Sequence, residues 1–389
     1  MSIELLPGNH LTLLETGAQY FPALLEAIET AERTIQLETY IFANDATGRA
    51  VTAALAAAAR RGINVRVLVD GFGAPDFAPG LGREIVAAGG MVDVYRPEVA
   101  RLRLERHRLR RLHRKLAVID ARIAFVGGIN IIDDTDTPGL GPRFDYAVRI
   151  EGPLVAPICT HMLHLWRLVG WARLRRRPPE PAPGICSPGA TAGDVVAAFV
   201  VRDNLRHRRD IEEAYLEALD SAKQDVLIAN AYFLPGRRFR HALIDAARRG
   251  CRVTVLLQGR VEYALLHYAT QALYGQLLAH GIRIFEYRAG FLHAKVGAVD
   301  EDWATVGSSN IDPFSLLLAR EANVIVKDAR FSAALRASLG RAIEEDAVEI
   351  TFAHLFRSGW LARTLRWLAY GLVRLMLGIT RYGGEDYRE

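Results

Sequence analysis

The chain repeats itself once, and that limits its architecture more than any other feature. Leu25–Phe42 (LEAIETAERTIQLETYIF) aligns without a gap on Leu216–Phe233 (LEALDSAKQDVLIANAYF) at an offset of 191 residues. Arg60–Gly71 (RRGINVRVLVDG) matches Arg248–Gly259 (RRGCRVTVLLQG) at an offset of 188, and His113-Arg-Lys115 matches His293-Ala-Lys295 at an offset of 180. The order is the same in both halves, and the falling offset puts a longer insert ahead of the first histidine. A period this long denotes a duplicated domain, not a solenoid. Within each half, Ala-rich helical stretches that end at glycine alternate with short β-branched runs. That pattern predicts an α/β fold with helices packed on a sheet. The Pro-rich stretch around residues 176–195 reads as a linker. The expected organisation is residues 1–175 and 196–349 as the two copies, followed by a distinct segment at 350–389.

The repeat carries a polar constellation. The first half has His113-x-Lys115-x4-Asp120-x6-Gly127-Gly128-x-Asn130; the second has His293-x-Lys295-x4-Asp300-x6-Gly307-Ser308-x-Asn310. The surrounding residues have strand character, and on a strand residues i and i+2 share a face. His and Lys of each half therefore point the same way. Asp120 and Asp300, of opposite parity at the strand end, are placed to tie down a turn, and as members of the motif they are counted with the catalytic set of His113, Lys115, His293 and Lys295. The glycines let backbone approach a ligand, and Asn130, Asn310 and Ser308 offer polar groups beside it. Two such halves facing each other make a pocket rich in donors and cations, which suits a phosphodiester oxyanion. One neutral imidazole can attack phosphorus while the other protonates the leaving oxygen. No carboxylate cluster for Mg²⁺ or Ca²⁺ is evident, so the lysines are expected to stand in for a metal and no cofactor is implied.

Lys and Arg exceed Asp and Glu by 49 to 44, a mild basic excess that favours anionic partners. Three cysteines, Cys159, Cys186 and Cys251, lie far apart with no CxxC pair. They argue against a disulfide framework and a structural zinc site, and for a reducing compartment. The N-terminus shows no basic stretch followed by an apolar run, and no segment reaches the ~18 apolar residues of a spanning helix. In Phe352–Arg381, taking 100° per residue, Arg363, Arg366, Arg374 and Arg381 fall within about 80° beside an aromatic and aliphatic face. This predicts a helix lying in the interface of an anionic membrane. Arg101–Lys115 holds eight Lys/Arg in 15 residues, suited to anionic headgroups or nucleic acid. Leu154–Val169 reads as a core helix whose histidines have no ligand role.

The duplicated HxKx4D pattern resembles the phospholipase D superfamily, over roughly Glu15 to Lys327. The resemblance implies two duplicated α/β domains, each a mixed sheet flanked by helices, related by a pseudo-twofold axis with one active site at their interface. It implies a phosphohistidine, with His113 as nucleophile and His293 as general acid and base. It also implies an acidic residue downstream of each motif that orients a histidine, a place filled by Asp145 (FDYAVRIEGP) and Glu321 (LLLAREANVIV). Within the superfamily, ETYIF, VLVDGFGAPD, LHRKLAVIDARIAFVGGIN, NAYFLP and GSSNIDPFSL look most like short bacterial cardiolipin synthases. Ala319 departs from them where Asn is usual. The implied reaction is transfer of a phosphatidyl group from one phosphatidylglycerol to another, by a peripheral protein on the cytoplasmic side of the bacterial inner membrane. The same catalytic set with water as acceptor gives a hydrolase, and on nucleic acid a nuclease.

Overall fold

The computed structural model describes residues 3–97, 110–134, 141–172, 185–187, 189–203, 206–313, 315, 318–357 and 360–379. Half of the expected linker, most of the basic Arg101–Lys115 segment, and Arg381 lie outside the described residues. So does the side chain of Arg363.

The first half runs β1 (Leu6–Glu15), α1 (Thr16–Glu29), β2 (Thr34–Thr39), α2 (Ala46–Arg60), β3 (Asn64–Asp70), α3 (Gly82–Ala87) and β4 (Met91–Tyr95). It continues with β5 (Lys115–Ile119), β6 (Ile123–Gly127), β7 (Tyr146–Glu151) and α4 (Val155–Ala172). The second half runs β8 (Val195–Arg202), α5 (Asp210–Ser221), β9 (Asp225–Asn230), α6 (Arg237–Arg248), β10 (Arg252–Gln258), α7 (Ala264–Leu278) and β11 (Arg283–Tyr287). It continues with β12 (Lys295–Val299), β13 (Trp303–Gly307), β14 (Glu321–Lys327), α8 (Ala329–Asp346) and β15 (Ala347–Ile350). Two further helices close it, α9 (Phe352–Arg357) and α10 (Trp360–Ile379).

The local rules are the same in both copies. Asp45 caps α2 by accepting from the Gly48 N–H at 2.8 Å, and the chain leaves α2 through Gly62 at φ +87°. Gly250 does the same after α6 at φ +95°. The strands that follow, β3 and β10, are buried along nearly their whole length, as expected of parallel strands covered on both faces. In sheet order the strands run β15-β11-β10-β9-β12-β13-β14-β8-β1-β7-β6-β5-β2-β3-β4. β2-β3-β4 and β9-β10-β11 are parallel; the motif strands β5-β6-β7 and β12-β13-β14 are antiparallel. The two copies join edge to edge where β1 pairs with β8.

Each half has its own core under its outer helices, containing for example Leu24, Ile35 and Val67 in the first and Leu219, Ile228 and Val255 in the second. A third core is shared. There Leu116, Val118 and Val126 of the first half meet Val296, Ala298 and Val306 of the second. The inner faces of the motif strands are thus packed against one another, which sets the two histidine segments opposite each other.

One expectation about the cysteines is corrected. Cys159 of α4 forms a disulfide with Cys186, with Cα atoms 5.6 Å apart, and Cys251 is a buried free thiol. Distance along the chain is no guide here, because Ile185 and Cys186 pack against α4 at Cys159. The argument for a reducing compartment loses its basis.

Candidate active site

Each histidine is held by the opposite half. The backbone N–H of His113 donates to the carbonyl of Arg320 at 3.0 Å, and that of Arg320 donates to Arg111 at 2.7 Å. The same bridge recurs on the other side: His293 N–H donates to Phe144 at 2.8 Å, and Phe144 N–H donates to Phe291 at 2.9 Å. Arg320 and Phe144 immediately precede Glu321 and Asp145. The bridges therefore deliver each carboxylate to the histidine of the other copy. His113 Nδ1 lies 2.9 Å from Glu321 Oε1, and His293 Nδ1 lies 2.6 Å from Asp145 Oδ2. The unequal spacing of these acids along the chain has no effect on their place in the sheet. Ala147 pairs with Gly127 and Asn323 pairs with Gly307, so Asp145 and Glu321 hold equivalent register positions.

The carboxylates are buried, while the imidazoles keep 17% (His113) and 13% (His293) exposure, facing a cavity of about 330 Å³. Both histidines, Asn130, Asn310 and Asp145 line it. Each Asn commits its carbonyl oxygen to a backbone N–H, Ile41 at 3.1 Å and Tyr232 at 3.4 Å, which leaves the amide NH₂ for a ligand. Lys115 and Lys295 are fully buried behind the histidines. Lys115 Nζ donates to the His113 carbonyl. Lys295 Nζ donates to the His293 carbonyl and sits 2.8 Å from His293 Nδ1 and 3.6 Å from Asp145 Oδ2.

Three motif residues lie away from the position of the phosphate. Asp120 and Asp300 sit at the far strand ends in left-handed backbone, φ +53° and +48°. Asp120 accepts from the N–H groups of Glu32, Arg33 and Thr34 at 2.7–2.8 Å, and Asp300 from Lys223, Gln224 and Asp225 at 2.8–3.1 Å. They staple the preceding strand, the role their parity predicts, and so stand apart from the reacting groups with which the motif groups them. Ser308 was expected at the phosphate. Fully buried, it instead donates to Glu321 Oε2 at 2.5 Å and accepts from Ala322 N–H at 3.0 Å, fixing the carboxylate that holds His113. Its counterpart Gly128 has no room for a side chain, because a Cβ there would collide with the Asp145 carboxylate.

Burial dominates the electrostatics. It pulls His113 below the ordinary histidine value against the raising charge of Glu321. Burial and the Lys295 charge pull His293 down to about 4 against Asp145. Burial also pulls Lys115 down to about 7. For Asp145, burial acts upward, but the charges of Lys295 and His293 outweigh it and hold the carboxyl below its usual range. The site accordingly has neutral imidazoles ready to act as nucleophile and base, each aligned through Nδ1 by a fixed anion so that Nε2 is the free nitrogen.

Cavity residues to which the sequence assigned no role include Asp134, Arg143, Tyr232 and Glu262. Burial raises the Asp134 carboxyl to about 6. Glu262 carries a signal in hindsight, for it stands three residues after Gly259 where the first copy has Ala74 three after Gly71.

At the C-terminus, α10 docks on α7. Val373 is buried in a cluster with Leu273, Ala269 and the cavity-lining Leu266 and Leu318. Arg366 donates to Gln271 at 2.9 Å, and Arg374 lies 5.7 Å from the Tyr370 ring centroid. Arg366 and Arg374, the two arginines of the stripe whose side chains are described, thus face the body and flank of the protein. The opposite face exposes Leu365, Leu368, Leu372 and Leu375. No helix among the described residues is long and apolar enough to cross a membrane.

Comparison with known proteins agrees with this layout. The family described as "Cardiolipin synthase, PLD-like domain" matches residues 24–166 and 215–343, one segment per copy. The chain is 42% identical over 370 residues to cardiolipin synthase B of Escherichia coli K12, covering 94% of this chain and 88% of that one. It is 31% identical to cardiolipin synthase A of Pectobacterium atrosepticum, covering 84% and 68%. The crystal structure of a phosphatidylserine synthase from Haemophilus influenzae superposes with a TM-score of 0.70 at 13% identity, covering 96% of this chain and 94% of that one, and has the same fold.

Proposed function

The chain belongs to the cardiolipin synthase family with PLD-like domains and is a phosphatidyltransferase, and from that premise we propose that it joins two phosphatidylglycerol molecules into cardiolipin with release of glycerol. The observation that carries this reading is the pair of crossed histidine–carboxylate contacts around one cavity.

In the first step His113 Nε2 attacks phosphorus, the bond to the glycerol oxygen breaks, and His293 gives that oxygen a proton. In the second, His293 takes the proton from a hydroxyl of the incoming phosphatidylglycerol. Its oxygen bonds to phosphorus as the P–N bond breaks, restoring His113. The anionic diester itself raises the second imidazole toward protonation on binding. The amide groups of Asn130 and Asn310 carry the phosphoryl oxygens, and the buried lysines supply positive charge one layer behind. Glu321 and Asp145 fix the ring orientation and stabilise imidazolium.

The protein works at a bilayer surface. The exposed leucine face of α10 supports this, since the helix packs by its other face, through Val373, in a cluster with Leu266 and Leu318 of the cavity wall. Contact there is insertion of the aliphatic face expected from the sequence, with Arg366 and Arg374 turned toward the protein. The membrane is the inner membrane of a bacterium, in keeping with the bacterial cardiolipin synthases that the chain resembles.

The test is lipid mass spectrometry after incubating the full chain with phosphatidylglycerol vesicles and no added metal. Cardiolipin with equimolar glycerol is the expected result. Phosphatidic acid alone would make the protein a hydrolase, and no lipid product would overturn the reading.

A further inference from the structure

The two walls of the cavity are chemically different. Beside His113 stand the Tyr40 ring, 4.9 Å from the imidazole, and Arg111, whose guanidinium lies 4.7 Å from the Phe72 ring centroid. Beside His293 stands a carboxylate that no histidine uses. Tyr232 donates its hydroxyl to Glu262 Oε2 at 2.5 Å, and Arg143 Nη1 donates to Glu262 Oε1 at 3.2 Å. Arg143 is itself fixed, with its guanidinium 5.0 Å from the Phe291 ring centroid and the chain beside it bridged to Phe291–His293. Glu262 keeps 23% exposure and lines the cavity. Burial alone would raise its carboxyl; the Tyr232 hydrogen bond and the charges of His293 and Arg143 outweigh this and keep it ionised.

A carboxylate is a poor wall for a phosphodiester, which it repels, and a good one for an alcohol, whose hydroxyl proton it accepts. In the proposed reaction both alcohol oxygens, leaving and entering, pass through His293, and both belong to glycerol. We infer that Glu262, held by Tyr232 and Arg143, is the hydroxyl-binding subsite that selects a polyol on the His293 side, accepting a hydrogen bond from the hydroxyl next to the reacting oxygen. The inference rests on the phosphatidyltransferase reading above. It makes catalysis two-sided and alcohol recognition one-sided, in keeping with Ala74 at the equivalent place in the first copy.

The test is a competition. The full chain receives phosphatidylglycerol vesicles with deuterated glycerol and 1-propanol at equal concentration, and mass spectrometry reads labelled phosphatidylglycerol against phosphatidylpropanol. A hydrogen bond to a charged group sets the scale: Glu262→Ala should lower the glycerol-to-propanol ratio by about tenfold or more, and Glu262→Gln by less. The ratio is internal to each enzyme, so a general loss of folded protein cancels. Should Glu262→Ala not fold, Glu262→Gln and Tyr232→Phe must still shift the ratio in the same direction. An unchanged ratio in every folded variant, alongside normal cardiolipin formation by the parent, overturns the subsite alone. A parent that makes neither cardiolipin nor labelled phosphatidylglycerol overturns the functional reading and the subsite with it.

Discussion

The two copies agree at the histidines and disagree immediately behind them. In the first, the residue between His113 and Lys115 is Arg114, almost fully buried and paired with buried Glu38 at 2.5 Å through Nε and 3.0 Å through Nη2. In the second, both positions are alanine, Ala294 and Ala229, and both are fully buried in the shared core. One copy thus holds an ion pair where the other holds two methyl groups. The copies also differ in how the orienting acid is held. Asp145 sits hard against Gly128, whereas the longer Glu321 is tied by Ser308. What the two copies share is therefore the positions of the groups around phosphorus, and the support behind them has diverged in charge and in reach.

The sharpest way to break the symmetry is at the histidines. His113→Ala should cost about 10⁴-fold or more in turnover, and His293→Ala about 10²–10⁴-fold, read as cardiolipin formed per unit time. A phosphodiester with a nitrophenol leaving group needs no general acid. In the first-turnover burst of nitrophenol, which reports the first step alone, it should recover most of the His293→Ala loss and none of the His113→Ala loss; recovery in the opposite variant would exchange the two roles.

The ion pair comes next. Glu38→Ala leaves the Arg114 charge buried and unpaired, and urea unfolding should show a loss of about 3–5 kcal/mol. The double variant Glu38→Ala, Arg114→Ala reproduces the pair found in the second copy and should be more stable than the single one. A double variant no better than the single would mean that the first copy has come to depend on its charges.

Glu321→Gln should slow kcat/KM by about tenfold. Its pH dependence has a definite sign. The Glu321 anion raises the His113 pKa against burial, so removing the charge lowers that pKa further. A neutral nucleophile then persists to lower pH, and the acid limb of kcat/KM should move downward. Movement upward would show that Glu321 does not act on His113.

The smallest effect concerns α10, which belongs to the second half and extends its core. Leu365→Ser with Leu368→Ser should weaken sedimentation with phosphatidylglycerol vesicles several-fold, given the apolar area involved. Unchanged sedimentation would leave α10 as a packing helix only.

Sequence reading reached the elements and the reacting groups because both are written in short-range pattern. Alternation along a strand put His113 with Lys115 and His293 with Lys295, and the opposite parity of Asp120 and Asp300 already assigned them to a turn. The duplication pointed to two similar sheets. The rest depends on contacts between residues far apart in the chain. Cys159 gave no hint of Cys186, and Ser308 looked like a ligand until its neighbour Glu321 was in place. The arginines of α10 formed a stripe on a helical wheel, but the wheel does not say which side meets α7.

The amino-acid sequence by itself determined the chemistry: two imidazoles, two lysines, two amides and their spacing, all imposed by the geometry of single strands. Tertiary structure alone decided who serves whom. His113 is held by an acid 208 residues away and His293 by one 148 residues away, each from the other copy. Backbone periodicity acts between neighbours and can be read from neighbours. Partnership across a packed interface is settled only when two apolar faces bury each other and bring distant polar groups into one dry place.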